Sequence, residues 1–115
     1  MMSIYNNNIT LVGRVAREAV IKDTEAGAVA NFALAVYRSG KGEQAVTDFL
    51  NVSCWHDLAR GMEKIKKGDT LIIAGSIVTR SYEKDGEKKY VTEVQAREIG
   101  LDISVQKEQG QGDPF

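Results

Sequence analysis

The segment Asp48-Phe49-Leu50-Asn51-Val52-Ser53-Cys54-Trp55 decides the fold of this chain, because its side chains alternate in chemical type. The even positions from Leu50 to Cys54 are apolar, whereas the odd positions from Phe49 to Trp55 combine two aromatic rings with two small polar groups. Successive side chains of a β-strand point to opposite faces. We therefore predict a strand that packs one face on a core and presents aromatic and polar groups on the other.

The same two-residue period recurs on both sides of this segment. Gly13 is expected to mark a bend or a close backbone approach, and Asp85-Gly86 is typical of a tight hairpin turn. From Thr70 to Arg80 both faces are largely apolar, so this strand is expected to be buried on both sides or to twist through the core. The predicted strands cover residues 9–15, continuing over 19–23 after an interruption at 16–18, then 29–38, 46–55, 70–83 and 88–105.

One segment changes to a helical period. Apolar residues recur at helical spacing from Leu58 to Ile65, Asp57 suits an N-cap position, and Gly68 follows. Five strands with a short helix between the third and fourth predict an all-β fold, a five-stranded Greek-key barrel of the oligonucleotide/oligosaccharide-binding (OB) type. We expect the OB domain over residues 1–105 and a short flexible tail, polar and glycine-rich, over residues 106–115.

Length and composition exclude several classes of protein. With 115 residues, 43% of them hydrophobic and 27% charged, the chain fits one globular domain and not a multidomain enzyme. A single cysteine cannot form an internal disulfide, and it leaves no second thiol for a zinc site with the only histidine. The N-terminal segment lacks the pattern of a signal peptide, and no apolar run is long enough to span a membrane. We expect a cytoplasmic protein without membrane contact.

The net charge of −1 is distributed unevenly. A near-neutral total by itself disfavours a nucleic-acid partner. Residues 1–97, however, contain 14 basic and 12 acidic side chains, whereas residues 98–115 carry a net charge of −3. The predicted barrel is therefore mildly basic, which fits a barrel that holds nucleic acid mainly by stacking.

Aromatic side chains opposite the core are the candidate binding residues. Alternation places Phe49 and Trp55 on that face of the third strand and Tyr37 on that face of the second. Rings between polar groups suit the stacking of unpaired bases, although an oligomer interface also presents such rings. The candidate stacking residues are Tyr37, Phe49, Trp55 and Tyr82.

Polar and basic residues surround these rings along the chain. They could contact phosphates, but exposed hairpins also carry lysines simply for solubility. The candidates for backbone and polar contacts are Arg14, Arg38, Lys41, Asn51, Ser53, Arg80, Lys84, Lys88 and Lys89.

No reactive constellation indicates an enzyme. Cys54 and His56 are the only nucleophile and base candidates, and their spacing puts both on the core side of the third strand. A cysteine buried among apolar groups is generally inert, and the aspartates do not form a motif of metal ligands. We therefore expect binding and not catalysis, with no metal and no cofactor.

Several stretches, in this order and spacing, resemble the bacterial single-stranded DNA-binding protein family. The resemblance implies an OB-fold subunit, usually assembled as a homotetramer, that wraps single-stranded DNA without sequence preference in the nucleoid. It matches Phe49, Trp55 and Tyr82 to base-stacking positions, and Arg14 and Arg80 to positions that approach the DNA backbone. The stretches are Asn8-Ile9-Thr10-Leu11-Val12-Gly13-Arg14-Val15, Val29-Ala30-Asn31-Phe32-Ala33-Leu34-Ala35-Val36, Thr47-Asp48-Phe49, Ile65-Lys66-Lys67-Gly68-Asp69, Gly75-Ser76, Thr79-Arg80-Ser81-Tyr82 and Tyr90-Val91-Thr92-Glu93-Val94.

Two departures from the family pattern affect the expected function. His56-Asp57 stands where the family usually has Gly-Lys, so one basic contact is lost. The tail ends in Asp113-Pro114-Phe115 without the acidic run that usually precedes this ending, so docking of replication and repair proteins is expected to be weaker. The alternatives are an OB-fold adaptor or specialised paralogue in a primosome, DNA uptake or phage replication, or a barrel that binds RNA or oligosaccharide.

Overall fold

The structure is a computed structural model that describes residues 5–104. It confirms an all-β fold with one short α-helix. Short 3-10 turns occupy Gly42–Gln44 and Met62–Lys64. The main elements are β1 (Ile9–Thr24), β2 (Gly27–Ser39), β3 (Val46–Trp55), α1 (His56–Gly61), β4 (Thr70–Lys84) and β5 (Glu87–Leu101).

The five strands close into the predicted barrel in the order β1-β2-β3-β5-β4. All neighbours are antiparallel except β3 and β5, which run parallel. Strand β1 closes the barrel because it pairs with β4 through residues 9–14 and with β2 through residues 14–24. Gly13 lies at this change of partner, where a Cβ atom would overlap the carbonyl oxygen of Ala35. The predicted close approach at Gly13 is thus confirmed.

The predicted interruption of the first strand is a local irregularity. Strand β1 is continuous from Ile9 to Thr24, but its register with β2 shifts on both sides of Arg17. Such bulges increase the twist and bend a strand without ending it. The bend lets one strand serve two sides of the barrel.

The core contains the side chains that the two-residue period predicts. Phe32 and Leu34 of β2 meet Val52 and Cys54 of β3, and all four are fully buried. Leu71 and Ile73 of β4 complete the centre. Each large apolar side chain buried in this way contributes about 1.5–3 kcal/mol to the free energy of unfolding.

Helix α1 begins earlier and is shorter than the sequence predicts. The N-cap residue is Trp55 rather than Asp57, which lies in the first turn. His56 adopts a left-handed backbone with φ of 60°, which turns the chain directly from β3 into the helix. Ala59 and Met62 are buried in the core cluster, so the helix and its 3-10 extension cover the barrel core.

Strands β4 and β5 form a long hairpin at the predicted turn. Asp85 and Gly86 both have positive φ, of 54° and 78°, as a type I′ turn requires. Strand β5 ends at Leu101, and Ile103 is exposed, so the expected continuation of the strand through 103 is wrong. Val105 and the predicted tail over 106–115, including Asp113, Pro114 and Phe115, lie outside the described residues.

The outer side of β4 corrects one expectation. Ile72 pairs with Val12 of β1 and with Gly100 of β5. Ile72 is 45% exposed and Val12 is 54% exposed, so β4 is not buried on both sides in a single chain. We call the patch of Val12, Ile72, Ala74 and Gly100 the β1–β4 face.

Within residues 5–104, no helix has the length and apolar character needed to cross a membrane.

Candidate nucleic-acid interface

The outer side of β2 and β3 carries the two rings predicted for the third strand, of which Phe49 is exposed and Trp55 is half-buried. Phe49 is 68% exposed and lies opposite Ala35, which in turn lies opposite Arg14 of β1. Phe49 and Trp55 are six residues apart on one strand face, which corresponds to about 20 Å. We call the surface formed by Phe49, Asn51, Ser53 and Trp55 the β2–β3 face.

A cleft borders this face where β3 meets the β4–β5 hairpin. Strands β3 and β5 share only the register pairs Val52–Val94 and Ser53–Gln95, so the sheet opens on either side of them. The cleft has a volume of about 360 Å³. Its lining residues are Val29, Asn31, Ser53, Trp55, Val78, Thr79, Arg80, Glu93 and Gln95.

An ion pair is part of the cleft wall. Nε of Arg80 donates a hydrogen bond of 2.9 Å to Oε1 of Glu93. The Glu93 side chain is 7% exposed and that of Arg80 is 58% exposed. The carboxylate therefore fixes the guanidinium at the cleft, while much of the guanidinium surface faces solvent.

The residues predicted around the loop after β2 lie beyond Phe49, away from the cleft. Arg38 makes two hydrogen bonds to Asp48, of 3.0 and 2.6 Å. The hydrogen bond from Arg38 lowers the pKa of Asp48, and the same bond raises the pKa of Arg38. Tyr37 donates its hydroxyl to the carbonyl oxygen of Gly40, and Lys41 is exposed. The charge of Arg38 is thus largely offset by its partner.

The hairpin carries the remaining predicted residues. Tyr82 lies two positions beyond Arg80 on the same face of β4 and opposite Lys89 of β5. Lys89 pairs with Glu87 at 3.1 Å, and Nζ of Lys88 lies 5.7 Å from the ring centroid of Tyr90. Lys84 is exposed beside the turn. These cations spread along the arm instead of forming one patch.

The structure therefore brings together only part of the predicted set. Ser53, Trp55 and Arg80 line one cleft, and Phe49 and Asn51 continue that surface along β3. The sequence reasoning missed Asn31, Glu93 and Gln95 as cleft residues. The sequence did carry a signal for β5, because the apolar residues Val94 and Ala96 alternate with Glu93 and Gln95, which places the latter two on the opposite face.

The family model for the single-strand binding protein family matches residues 6–102 of the chain. The chain belongs to this family. A single-stranded DNA-binding protein of Streptococcus mutans is 39% identical over 114 residues, covering 95% of this chain and 70% of the relative. One from Streptococcus pneumoniae is 42% identical over 100 residues, covering 83% of this chain and 64% of the relative.

Two solved structures of family members resemble the barrel. A small single-stranded DNA-binding protein from Streptomyces coelicolor superposes with a TM-score of 0.70 at 26% identity, covering 87% of this chain and 98% of the other. The Plasmodium falciparum protein, in complex with single-stranded DNA, gives a TM-score of 0.72 at 26% identity, covering 88% and 96%. The similarity therefore extends over nearly the whole barrel.

The pair considered for catalysis is not assembled in this family member. Cys54 is fully buried, and burial raises the pKa of its thiol to about 11. His56 was expected beside it on the core side, but the left-handed turn places His56 at the surface, against Gly27 and tilted to the Trp55 ring. Among residues 5–104, no three His, Cys, Asp or Glu side chains are grouped as metal ligands.

Proposed function

We propose that this chain binds single-stranded DNA without reading a defined sequence. The observation that carries the proposal is the shared cleft of Trp55 and Arg80, which continues into the exposed ring of Phe49. Membership of the family supports it, as does the similarity to a Plasmodium falciparum protein whose structure contains single-stranded DNA.

Binding by these residues is physical and not chemical. Each base stacked on an aromatic side chain contributes about 1–3 kcal/mol. Arginine and lysine contacts to phosphates release counterions, so affinity falls as salt is added. Stacking on Phe49, Trp55 and Tyr82 tolerates every base, because every base has a flat face. In this proposal Arg80, which lines the cleft with Trp55, and Arg14, which lies across Ala35 from Phe49, would contact phosphates, and the hairpin lysines would extend the path.

We also propose that the chain assembles as a homotetramer through the β1–β4 face. This face presents Val12 and Ile72 to solvent in the single chain, although the sequence pattern of β4 is that of a strand buried on both sides. Contact between copies of the same face would bury these side chains by an isologous arrangement. Several linked subunits would hold one strand more tightly through effective concentration.

The wider role follows from binding and remains part of the proposal. Protection of exposed bases fits replication, recombination and repair, in a cytoplasmic and nucleoid-associated setting.

Asp113, Pro114 and Phe115 would dock replication and repair proteins. Deleting these three residues should reduce capture of such proteins and leave DNA affinity unchanged. Equal capture by both forms would refute the role of the tail.

The fluorescence of Trp55, the only tryptophan, tests the main proposal. Titration with oligo(dT) should quench the signal to saturation, and raising the salt concentration should weaken binding. An unchanged signal together with no mobility shift would contradict the proposal and favour an adaptor role. Tighter binding of oligo(U) RNA than of oligo(dT) would favour the RNA-binding alternative.

A further inference from the structure

Strand β1 borders the β2–β3 face on the side of β2 that lies away from the cleft. Residues paired directly across an antiparallel sheet carry their side chains on the same face. Because β1 pairs with β2 and β2 pairs with β3, each residue of the β2–β3 face is aligned with one residue of β1. The four rows, read from β1 through β2 to β3, are Arg14–Ala35–Phe49, Arg17–Ala33–Asn51, Val20–Asn31–Ser53 and Lys22–Val29–Trp55.

Basic residues occupy three of these four β1 positions. Arg17 and Lys22 are exposed, and Arg14 is half-buried. The β2 residues in the same three rows are alanine or valine, so no polar side chain of β2 separates these cations from β3. The axes of β1 and β3 are two strand spacings apart, about 10 Å. A line of positive charge therefore runs alongside the rings of Phe49 and Trp55.

A β-bulge gives Arg17 its outward orientation. Val15 is buried in the core, so simple alternation along β1 would place Arg17 on the core side as well. The register shift between these two residues inserts Ala16, and Arg17 then lies opposite Ala33 on the outer face. Bulges next to functional sites often re-aim a side chain in this way. The bulge thus adds to the outer face a cation that the strand period alone would not place there.

Arg17 and Lys22 also differ from the other cations near the β2–β3 face in their charge balance. The side chain of Arg38 forms an ion pair with Asp48, and that of Arg80 forms one with a buried glutamate. Within the described part of the chain, residues 5–104, neither Arg17 nor Lys22 forms an ion pair. Their full charge is therefore available to an anionic ligand.

The acidic residues next to these two cations in the sequence are engaged elsewhere. Oε2 of Glu18 accepts a hydrogen bond of 3.2 Å from the backbone N–H of Lys67, in the loop before β4. Asp23 forms an ion pair with Arg60 of α1. Both carboxylates thus bind to groups outside the outer face, and the outer side of β1 keeps a positive potential.

We propose that Arg17 and Lys22 are phosphate contacts on β1 for single-stranded DNA whose bases stack on the β2–β3 face. The inference rests on the proposed function, and it extends the DNA site across β2. Arg80 would contact the DNA on the cleft side of the rings, and Arg17 and Lys22 would contact it on the other side. Arginine and lysine bind phosphates without reading the bases, so these contacts add affinity and no sequence preference.

The salt dependence of binding measures such contacts directly. For single-stranded DNA, each phosphate contact contributes about 0.7 to the slope of log affinity against log salt concentration. The double substitution Arg17→Gln with Lys22→Gln should therefore make the slope for oligo(dT) about 1.4 less steep. The wild type should bind more tightly than this variant at low salt, and its advantage should shrink about 25-fold for each tenfold rise in salt. The readout is fluorescence anisotropy of end-labelled oligo(dT) of about 15 nucleotides, within the range covered by one OB fold.

Two further variants separate local contacts from net charge and from side-chain shape. Lys64→Gln with Lys66→Gln removes the same two charges from exposed positions after α1, so this control should keep the wild-type slope. Arg17→Lys with Lys22→Arg keeps both charges and should also keep it. A wild-type slope in the Arg17→Gln, Lys22→Gln variant, or an equal change of slope in the Lys64→Gln, Lys66→Gln control, would overturn the inference and leave the proposed function intact.

A neutral ligand makes the test independent of the folding of the variant. Oligo(dT) with methylphosphonate linkages has no backbone charge, so the wild type and the Arg17→Gln, Lys22→Gln variant should bind it with equal affinity. Weaker binding of this neutral ligand by the variant would mean that the substitutions damage the stacking surface, which would contradict the inference. Absence of any binding of ordinary oligo(dT) by the wild type would instead refute the proposed function.

Discussion

Two outer surfaces of the same barrel expose apolar side chains, and they differ in the type of residue that lies next to those side chains. On the β2–β3 face, the rings of Phe49 and Trp55 flank the polar groups of Asn51 and Ser53. On the β1–β4 face, the aliphatic side chains of Val12 and Ile72 lie side by side next to Gly100, and the polar side chains of Thr10 and Glu98 lie only at the edge of the patch, opposite Ala74.

The difference teaches what each surface can hold. Rings with nearby hydrogen-bonding groups can stack on a base and satisfy its polar edge, and they release it at moderate cost. Aliphatic side chains offer no directional contact and gain only by leaving water. The β2–β3 face therefore suits a ligand that binds and dissociates, and the β1–β4 face suits a permanent contact with another protein surface.

Ile72→Glu should have the largest effect, because it places a charge in the contact proposed between copies. An unpaired buried charge costs several kcal/mol, so the assembly should dissociate to monomers in light-scattering measurements after size exclusion. Val20→Glu is the matched control, because Val20 is an aliphatic residue on β1 that is about as exposed as Ile72 and lies outside this face. Monomeric wild-type protein, or dissociation of both variants, would contradict the assignment of the two surfaces.

Trp55→Ala should act on the other surface alone. Loss of one stacking ring should weaken binding of short oligo(dT) by about 1–3 kcal/mol, a factor of roughly 5 to 150. The number of subunits in the assembly should stay the same. The readout is anisotropy of labelled DNA. Tyr90→Ala removes an exposed ring from the opposite face of the hairpin and should change affinity little. A loss limited to one DNA sequence would argue against stacking.

Gly13→Ala should affect both surfaces together through stability. Its Cβ would overlap the carbonyl oxygen of Ala35 where β1 changes partner, and such overpacking costs about 1–3 kcal/mol. The melting temperature should fall by about 4–8 °C for each kcal/mol. Gly61→Ala is the control, because it lies in α1 with open space around it and should be neutral or slightly stabilising. Equal melting temperatures of Gly13→Ala and the wild type would show that the corner tolerates a side chain.

Asp48→Asn should produce the smallest effect. The carboxylate has a lowered pKa in the folded protein because Arg38 donates to it. Its contribution is therefore present above the unfolded pKa of about 3.9 and is lost as pH falls through the folded value. Both partners are exposed, so the stability difference at neutral pH should be slight and should vanish in strong acid, as followed by urea denaturation. A difference that grows as pH falls would contradict this sign.

The same substitution also bears on the DNA surface. Removing the Asp48 charge frees the guanidinium of Arg38 at one end of the β2–β3 face. Affinity for oligo(dT) should rise a few-fold at low salt, and this gain should disappear at high salt because the added contact is electrostatic.

Much of the fold was predictable because strand periodicity and turn chemistry are local. The alternation around Val52 identified the core side of β3, and Asp85-Gly86 identified the hairpin turn. The errors came where a local rule met a tertiary constraint. The alternation of β3 predicted His56 on the core side, but its left-handed backbone turns the chain into α1 and moves the ring to the surface.

The candidate site was predictable residue by residue but not as an assembly. Phe49 and Trp55 follow from the period of β3, whereas their relation to Arg80 depends on the parallel pairing of β3 with β5. Glu93 was missed because an acidic residue in a polar hairpin resembles a solvated charge. Its burial becomes visible only when β4 and β5 are placed beside β3.

The sequence by itself determined which side chains share a strand face, since that depends only on the two-residue repeat of the backbone. It also determined the sites of bending, because Gly13 and Asp85-Gly86 permit conformations or approaches that other residues resist. Only the tertiary structure decided which faces meet. Closure of the barrel joins residues about forty positions apart at Val52–Val94, and it thereby places Trp55, Arg80 and Glu93 around one cleft.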